Sequence, residues 1–225
     1  MAALQKIYLI HAGDVSMKPA LASFAALWPE ARVMNLLEDS LVLDVREAGR
    51  LPDSIPKRFD LLGQYCVAAE ATAILFTCSA FGSTIESLKL KHTIPILTPN
   101  EALFEEVIER GGKVALLTTF GPSIPALTEE LNEMLALRGT TLEVDAMLVE
   151  GAFDALMAGD HAGHDRIIAE KVASLTGYHT IVFGQFSMAS AAAQAQKLAS
   201  VPVLTTPDCA VRKLKKVLLG AQHGV

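Results

Sequence analysis

The chain of 225 residues has 19 Lys and Arg against 25 Asp and Glu, which gives a net charge of −6 and a pI near 5.5. This acidic balance offers no general attraction to a phosphate backbone, so nucleic acid is not an expected partner. The composition, 51% hydrophobic and 20% charged, is typical of a well-buried globular protein, and the length allows two compact halves.

No apolar run approaches the ~20 residues of a membrane-spanning helix, and residues 1–10 lack the features of a signal peptide. We therefore expect a cytoplasmic protein with no membrane partner. The three cysteines, Cys66, Cys78 and Cys209, are an odd number at unpatterned spacings, which favours reduced thiols over a disulfide framework. No cluster of ligand residues predicts a metal site.

The first half alternates β-branched apolar runs with amphipathic segments, as α/β folds do. The predicted elements are a strand at 6–11, a helix at 18–27, a strand at 31–36, a helix at 55–70, strands at 73–77 and 94–97, and a helix at 101–110. Ser83-Thr84-Ile85-Glu86 fits a capping box, so a further helix is predicted to begin just after Cys78. Its free amide N–H groups would favour a thiolate there.

The second half repeats this order. Its predicted elements are a strand at 113–118, a helix at 124–137, a strand at 141–148, a helix at 163–175, a strand at 180–184, a helix from about 188, a strand at 201–205 and a final helix at 208–219. Alternation with short connections indicates parallel sheets of about four strands per half. Ligands of such sheets bind beyond the carboxyl ends of the strands.

The two halves match in three places at a constant numbering offset of 107. Residues 6–10 (KIYLI) match 113–117 (KVALL), residues 74–76 (ILF) match 181–183 (IVF), and residues 94–98 (IPILT) match 201–205 (VPVLT). A constant offset over three strands predicts a duplicated α/β unit whose strand ends carry the functional loops.

The halves differ in chemistry after the second shared strand. The first half has Cys78 there, and the second half has Gln185 at the matching position. A thiol can exchange a proton or attack carbon, whereas an amide can only form hydrogen bonds.

Three features together resemble the aspartate/glutamate/hydantoin racemase superfamily. They are the Thr-Cys-Ser loop at 77–79, the pair Thr118-Thr119 after the first strand of the second half, and the Gly-x-x-x-Met turn from Gly184 to Met188. The resemblance spans nearly the whole chain. It implies two pseudo-symmetric parallel-sheet α/β domains, residues 1–98 with 206–225 and residues 99–205, and an active site in the cleft between them.

The resemblance also implies no cofactor and a small carboxylate or related substrate. In the two-base racemases of this superfamily a cysteine from each half flanks the substrate carbon. Cys78 matches the first of these, and Gln185 stands where the second belongs. Decarboxylase relatives keep only the second-half cysteine, so this chain follows neither pattern.

Further candidate residues lie on the same loops. A substrate carboxylate or apolar group can contact residues that follow strands in each half, namely Ser79, Ala80, Thr118, Thr119, Gln185, Phe186 and Ser187. The alternative for Ser79 and Ala80 is a simple turn, and for Thr118 and Thr119 it is capping of the next helix. His11 and Cys209 are the candidate additional acid/base groups, against a hydrogen-bonding role for His11 and a packing role for Cys209.

We therefore expect a cofactor-independent enzyme of the racemase or isomerase type acting through Cys78. Two-base racemisation is disfavoured because Gln185 cannot titrate. The alternatives are a one-thiol decarboxylase, which needs only one proton donor, and a non-catalytic small-carboxylate binding protein. The sequence is compatible with a homo-oligomer.

Overall fold

A computed structural model describes residues 4–220, except for the side chains of Arg46 and Ala80. The chain divides into two compact units. The first contains the residues up to Pro99 and those from Ala210 onward, and the second contains Asn100–Cys209.

The first unit is a four-stranded parallel sheet with helices between its strands. Its elements are β1 (Lys6–His11), α1 (Met17–Leu27), β2 (Arg32–Leu37), α2 (Ser40–Ala48), α3 (Ile55–Ala68), β3 (Ala73–Phe76), α4 (Gly82–Lys89) and β4 (Ile96–Leu97). The strand order is β2-β1-β3-β4. All four residues of β3 are buried, which explains its continuous apolar sequence.

The second unit has the same architecture. Its elements are α5 (Glu101–Arg110), β5 (Lys113–Thr118), α6 (Ile124–Leu137), β6 (Glu143–Leu148), α7 (Ala152–Met157), α8 (His161–Ala173), β7 (Thr180–Phe183), α9 (Ala192–Leu198), β8 (Val203–Thr205) and the first residues of α10 (Thr206–Gly220). Its strand order is β6-β5-β7-β8, which repeats the order of the first sheet.

The strand registers repeat as well as the order. Ile7 pairs with Ala73 in the first sheet, and Val114 pairs with Thr180 in the second, so both partners follow the same numbering offset of 107. The pairing of Ile74 with Ile96 recurs as Ile181 with Val203 at that offset. The predicted fold class, two parallel-sheet α/β units from an internal duplication, is confirmed.

The last helix, α10, contributes to both units, because the division of the chain falls between Cys209 and Ala210. Within the first unit, Lys215 Nζ donates a hydrogen bond of 3.0 Å to the carbonyl of Leu27 at the end of α1. No helix in the described part of the chain is long and apolar enough to span a membrane.

Some local predictions were wrong. Helix α4 begins at Gly82, so Ser83 lies inside the helix and does not cap it, and its carbonyl accepts a hydrogen bond from Ser87. The helices α2 and α7 were missed because each is short and directly follows an edge strand, with only two or three residues between them. The helix predicted from 188 starts as a 3-10 turn, Phe186–Ala191, before α9.

Candidate functional site

The carboxyl ends of β1 and β3 bring together the first group of site residues. Parallel strands that are neighbours end at the same edge of a sheet, so the loops that follow them are adjacent. The loop after β3 starts with Thr77 and Cys78 and continues into a 3-10 turn, Ser79–Phe81, that leads directly into α4.

Cys78 is in an extended conformation (φ −121°, ψ 121°) and is half-buried, as is Ser79. The turn is anchored by Phe81, whose ring lies 5.1 Å from that of Phe59, which in turn stacks at 5.1 Å on Phe76 of β3. This packing holds the thiol at the end of the strand. Ala80 forms part of the turn, but its side chain lies outside the described residues.

His11, the last residue of β1, is fully buried beside this loop. Its Nδ1 lies 2.9 Å from both Ser16 Oγ and Thr77 Oγ1, and these two hydroxyls are 2.9 Å apart. Its Nε2 lies 3.0 Å from Asn35 Oδ1 on β2. We call His11, Ser16, Asn35 and Thr77 the histidine network.

The chemistry of the partners determines the tautomer of His11. Asn35 Oδ1 can only accept a hydrogen bond, so Nε2 carries the proton. Burial lowers the pKa of His11 below its ordinary 6.5, although the hydrogen bond to Asn35 acts to raise it. The neutral ring therefore accepts a hydroxyl proton at Nδ1, and His11 links the end of β1 to Thr77, one residue before Cys78.

The matching position in the second unit holds a different network. Gln185 Oε1 accepts hydrogen bonds from Thr118 Oγ1 (2.9 Å), Thr119 Oγ1 (2.9 Å) and the backbone N–H of Thr119 (2.8 Å). Thr118 Oγ1 also lies 2.8 Å from Ser123 Oγ. We call Thr118, Thr119, Ser123 and Gln185 the glutamine network.

The orientation of the Gln185 amide follows from its partners. A backbone N–H can only donate, so the atom facing Thr119 N is the amide oxygen. The amide nitrogen points away from these donors and has no hydrogen-bond partner among the described residues. Gln185 is half-buried, so its two N–H groups are available to a ligand.

The other predicted site residues lie in less accessible places. Phe186 is buried in the 3-10 turn after Gln185, while Ser187 is half-buried in the same turn. Cys209 is buried in the first turn of α10, and Cys66 is buried in the core on α3. Burial raises the pKa of the Cys66 thiol to about 12.

Sequence analysis missed Ser16, Asn35, Thr77 and Ser123. One signal was available, because Ser16 and Ser123 are related by the same offset of 107, and each lies five residues after the end of its strand. Asn35 was detectable only as a polar residue inside the apolar strand β2. Within the described residues, no group of three or more His, Cys, Asp or Glu side chains is arranged to hold a metal ion.

Comparison with known proteins identifies a family and similar structures. The family model for Asp/Glu/hydantoin racemases matches residues 44–214. Similar solved structures are an aspartate racemase homologue from Pyrococcus horikoshii (18% identity, covering 96% of this chain and 100% of that one, TM-score 0.67) and an allantoin racemase from Klebsiella pneumoniae (16%, 98% and 91%, 0.70). A third is an aspartate racemase from Picrophilus torridus (10%, 95% and 94%, 0.72). A sequence search of curated proteins finds no match.

Proposed function

The chain belongs to the Asp/Glu/hydantoin racemase family, and from that premise we propose that it is an enzyme of the isomerase type whose Cys78 transfers a proton at a carbon atom of a small substrate. The substrate class is a carboxylic acid, an amino acid or a hydantoin-like compound. The reaction requires no cofactor, because the thiolate of Cys78 removes the proton from carbon; return of a proton from the thiol gives exchange, and delivery of one from water to the opposite face gives the other enantiomer.

The observation that carries the proposal is the position of Cys78. The thiol is half-buried at the carboxyl end of the buried strand β3, where ligands of parallel sheets bind, and the turn after it is anchored by stacked aromatic rings. Cys66 and Cys209 are buried in contrast. A thiol that is held in place yet accessible is suited to proton transfer.

We propose that Gln185 contributes a hydrogen-bond donor and does not act as a second base. Removal of a proton next to a carbonyl leaves negative charge on oxygen, and preorganised N–H groups stabilise that charge. The three hydrogen bonds to Gln185 Oε1 orient its Nε2 for this task before substrate binds. Thr118 and Thr119 position the Gln185 amide, and Ser79 is proposed to bind the substrate beside Cys78.

A one-thiol decarboxylase is the second candidate, and the Gln185 amide favours it. Decarboxylation breaks the bond to the leaving carboxylate, releases CO₂ and leaves the electron pair in an enediolate. A single donor, Cys78, then delivers one proton to carbon and recovers it from water. No second acid/base is needed, which fits an amide at position 185.

Solvent exchange tests the proposal. The protein is incubated in D₂O with phenylalanine, aspartate, 5-benzylhydantoin, hydantoin-5-acetate and phenylmalonate. Deuterium incorporation at carbon and CO₂ release are followed by NMR and mass spectrometry. We expect incorporation with at least one compound and a loss of about 10³-fold or more in Cys78→Ala, because no other described thiol is accessible.

Cys209→Ala is the matched control, since it removes a buried thiol of the second unit. It should retain activity, which also tests Cys209 as an alternative acid/base. Exchange that persists in Cys78→Ala and disappears in Cys209→Ala would overturn the assignment. Tight binding of these compounds with neither exchange nor CO₂ release would instead support a non-catalytic binding protein.

A further inference from the structure

We propose that Phe120 determines substrate specificity by contacting an apolar substituent of the substrate, so that the site prefers such a substituent to a second carboxylate. This inference rests on the proposed function, because it names the substrate class of the same site. It follows from the exposed ring of Phe120, its fixed backbone and the charges of the loops that follow the strands of the second unit.

The first observation is an aromatic side chain that is exposed directly beside the glutamine network. Thr118 and Thr119 are buried, whereas Phe120, the next residue, is 41% exposed. Its ring lies 5.1 Å from that of Phe153 on α7, and Leu148 at the end of β6 is also exposed. We call Phe120, Leu148 and Phe153 the apolar wall.

The second observation is that the backbone of Phe120 is held in place. Its carbonyl accepts hydrogen bonds from Ser123 N (3.0 Å) and Ser123 Oγ (2.7 Å), and its N–H donates to Thr118 Oγ1 at 3.3 Å. Thr118 and Ser123 are members of the glutamine network. The backbone of Phe120 is therefore held by members of the glutamine network, and its ring packs against Phe153, so contact with a substrate costs less conformational entropy.

The third observation concerns charge. Within the second unit, the segments between each strand and the helix that follows contain no Lys or Arg, and Glu150 is their one acidic residue. Glu150 and Asp154 are the acidic residues nearest in sequence to the apolar wall, two residues after Leu148 and one after Phe153. A second carboxylate on the substrate would find no cationic partner on these loops, and its desolvation would be uncompensated.

The first unit lacks the apolar wall at the corresponding place. Position 13 matches position 120 at the offset of 107, and it holds Gly13, which has no side chain. An ideal Cβ at Gly13 would have no heavy atom within 4 Å. An aromatic side chain is therefore present at this position only in the second unit.

The test uses two pairs of probes that differ only in the substituent. They are 5-benzylhydantoin against hydantoin-5-acetate and phenylalanine against aspartate. For each pair, kcat/KM for deuterium exchange is measured for the wild type and for Phe120→Ala. The wild type should prefer the benzyl compound, and Phe120→Ala should lower kcat/KM for it by about 10- to 100-fold while changing that of the acetate compound less than about threefold.

Leu137→Ala is the matched control, because Leu137 is 87% exposed at the end of α6 and belongs to neither network. It should leave the preference unchanged. Phe120→Arg adds the missing cation and should shift the preference toward the acetate compounds. A wild type that prefers acetate compounds, or a preference that Phe120→Ala leaves intact, would overturn the inference.

Calorimetric titration with the same four compounds separates this inference from the proposed function. If no compound exchanges deuterium but the benzyl compounds bind in a manner that Phe120→Ala weakens, the specificity inference holds and the catalytic proposal fails. If none of the four compounds binds, the specificity inference fails as well.

Discussion

The histidine network and the glutamine network lie at the carboxyl ends of corresponding strands in two copies of one fold, although Thr77 of the first is matched by Gly184 and not by Gln185. In each, the last residue of the central strand contacts a serine five residues later and a residue that follows the neighbouring strand. The serines, Ser16 and Ser123, are retained at the offset of 107, while His11 is matched by Thr118 and Cys78 by Gln185. The two units therefore share their strand order and the two serines, but differ in the residues that could react with a substrate.

The difference indicates a division of tasks. In the first unit His11 contacts Thr77, the residue before Cys78, and the reactive group at the strand end is the half-buried thiol. In the second unit the hydrogen bonds end on Gln185 itself, which is anchored by its oxygen and presents N–H donors. We therefore propose that the first unit supplies proton transfer, while the second supplies hydrogen-bond donors and an apolar wall.

Thiol reactivity gives the largest contrast. With iodoacetamide at pH 8, Cys78 should be alkylated at least about 100-fold faster than Cys66 or Cys209, because both of those are buried. A pKa of about 12 leaves the Cys66 thiolate at about one part in 10⁴ at pH 8. Peptide mass spectrometry of samples taken over time measures the order in which the three cysteines are alkylated. Earlier labelling of Cys66 or Cys209 would contradict the accessibility that the proposal needs.

Position 185 tests the division of tasks directly. Gln185→Leu removes the N–H donors and should lower kcat/KM about 100-fold, as the loss of one oxyanion donor does. Gln185→Cys supplies a second thiol and should introduce or raise racemisation of an amino acid, which chiral chromatography detects. Gln194→Leu on the exposed face of α9 is the control. A Gln185→Leu variant with full activity would remove Gln185 from the site.

Substitution of Gly184 and of Gly13 tests how closely the loops after β7 and β1 are packed. A Cβ on Gly184 would lie 3.0 Å from Leu127 Cδ1 and 3.3 Å from the Leu117 carbonyl, which belongs to the sheet and cannot move. Gly184→Ala should therefore reduce the free energy of unfolding by about 1–3 kcal/mol in urea denaturation. Gly13→Ala, with open space around it, should change it by less than about 1 kcal/mol. Equal effects would contradict this difference in packing.

The pH dependence of stability gives the smallest effect. Because burial lowers the pKa of His11 in the folded protein below 6.5, the unfolded chain binds the proton first as the pH falls. The contribution of His11 is thus complete above pH 6.5 and declines below it. Urea denaturation between pH 8 and 5 should show a smaller pH-dependent loss in His11→Gln than in the wild type. If the free energy of unfolding depends on pH equally in His11→Gln and the wild type, His11 is not the group responsible for the loss of stability.

The sequence by itself determined the fold class, because apolar runs that alternate with helical segments indicate a parallel sheet, and their repetition at one offset indicates two equivalent sheets. It also identified the loops, since a residue after a buried strand must lie at the edge of the sheet. Strands β1 and β5 were predicted at their observed bounds. The Ser83 capping box was wrong because the preceding turn, packed through Phe81, starts the helix before Ser83.

Only the tertiary structure decided what each site residue contacts. Thr118, Thr119 and Gln185 were predicted to bind substrate separately, yet the hydroxyls donate to the amide, because residues 66 and 67 positions apart meet where β5 and β7 pair. The environment of Phe120 likewise depends on α7, because its ring contacts Phe153, which is 33 residues away in sequence. The sequence gives the chemical type of each residue, whereas its hydrogen-bond partners and its burial arise from contacts with segments that are distant in sequence.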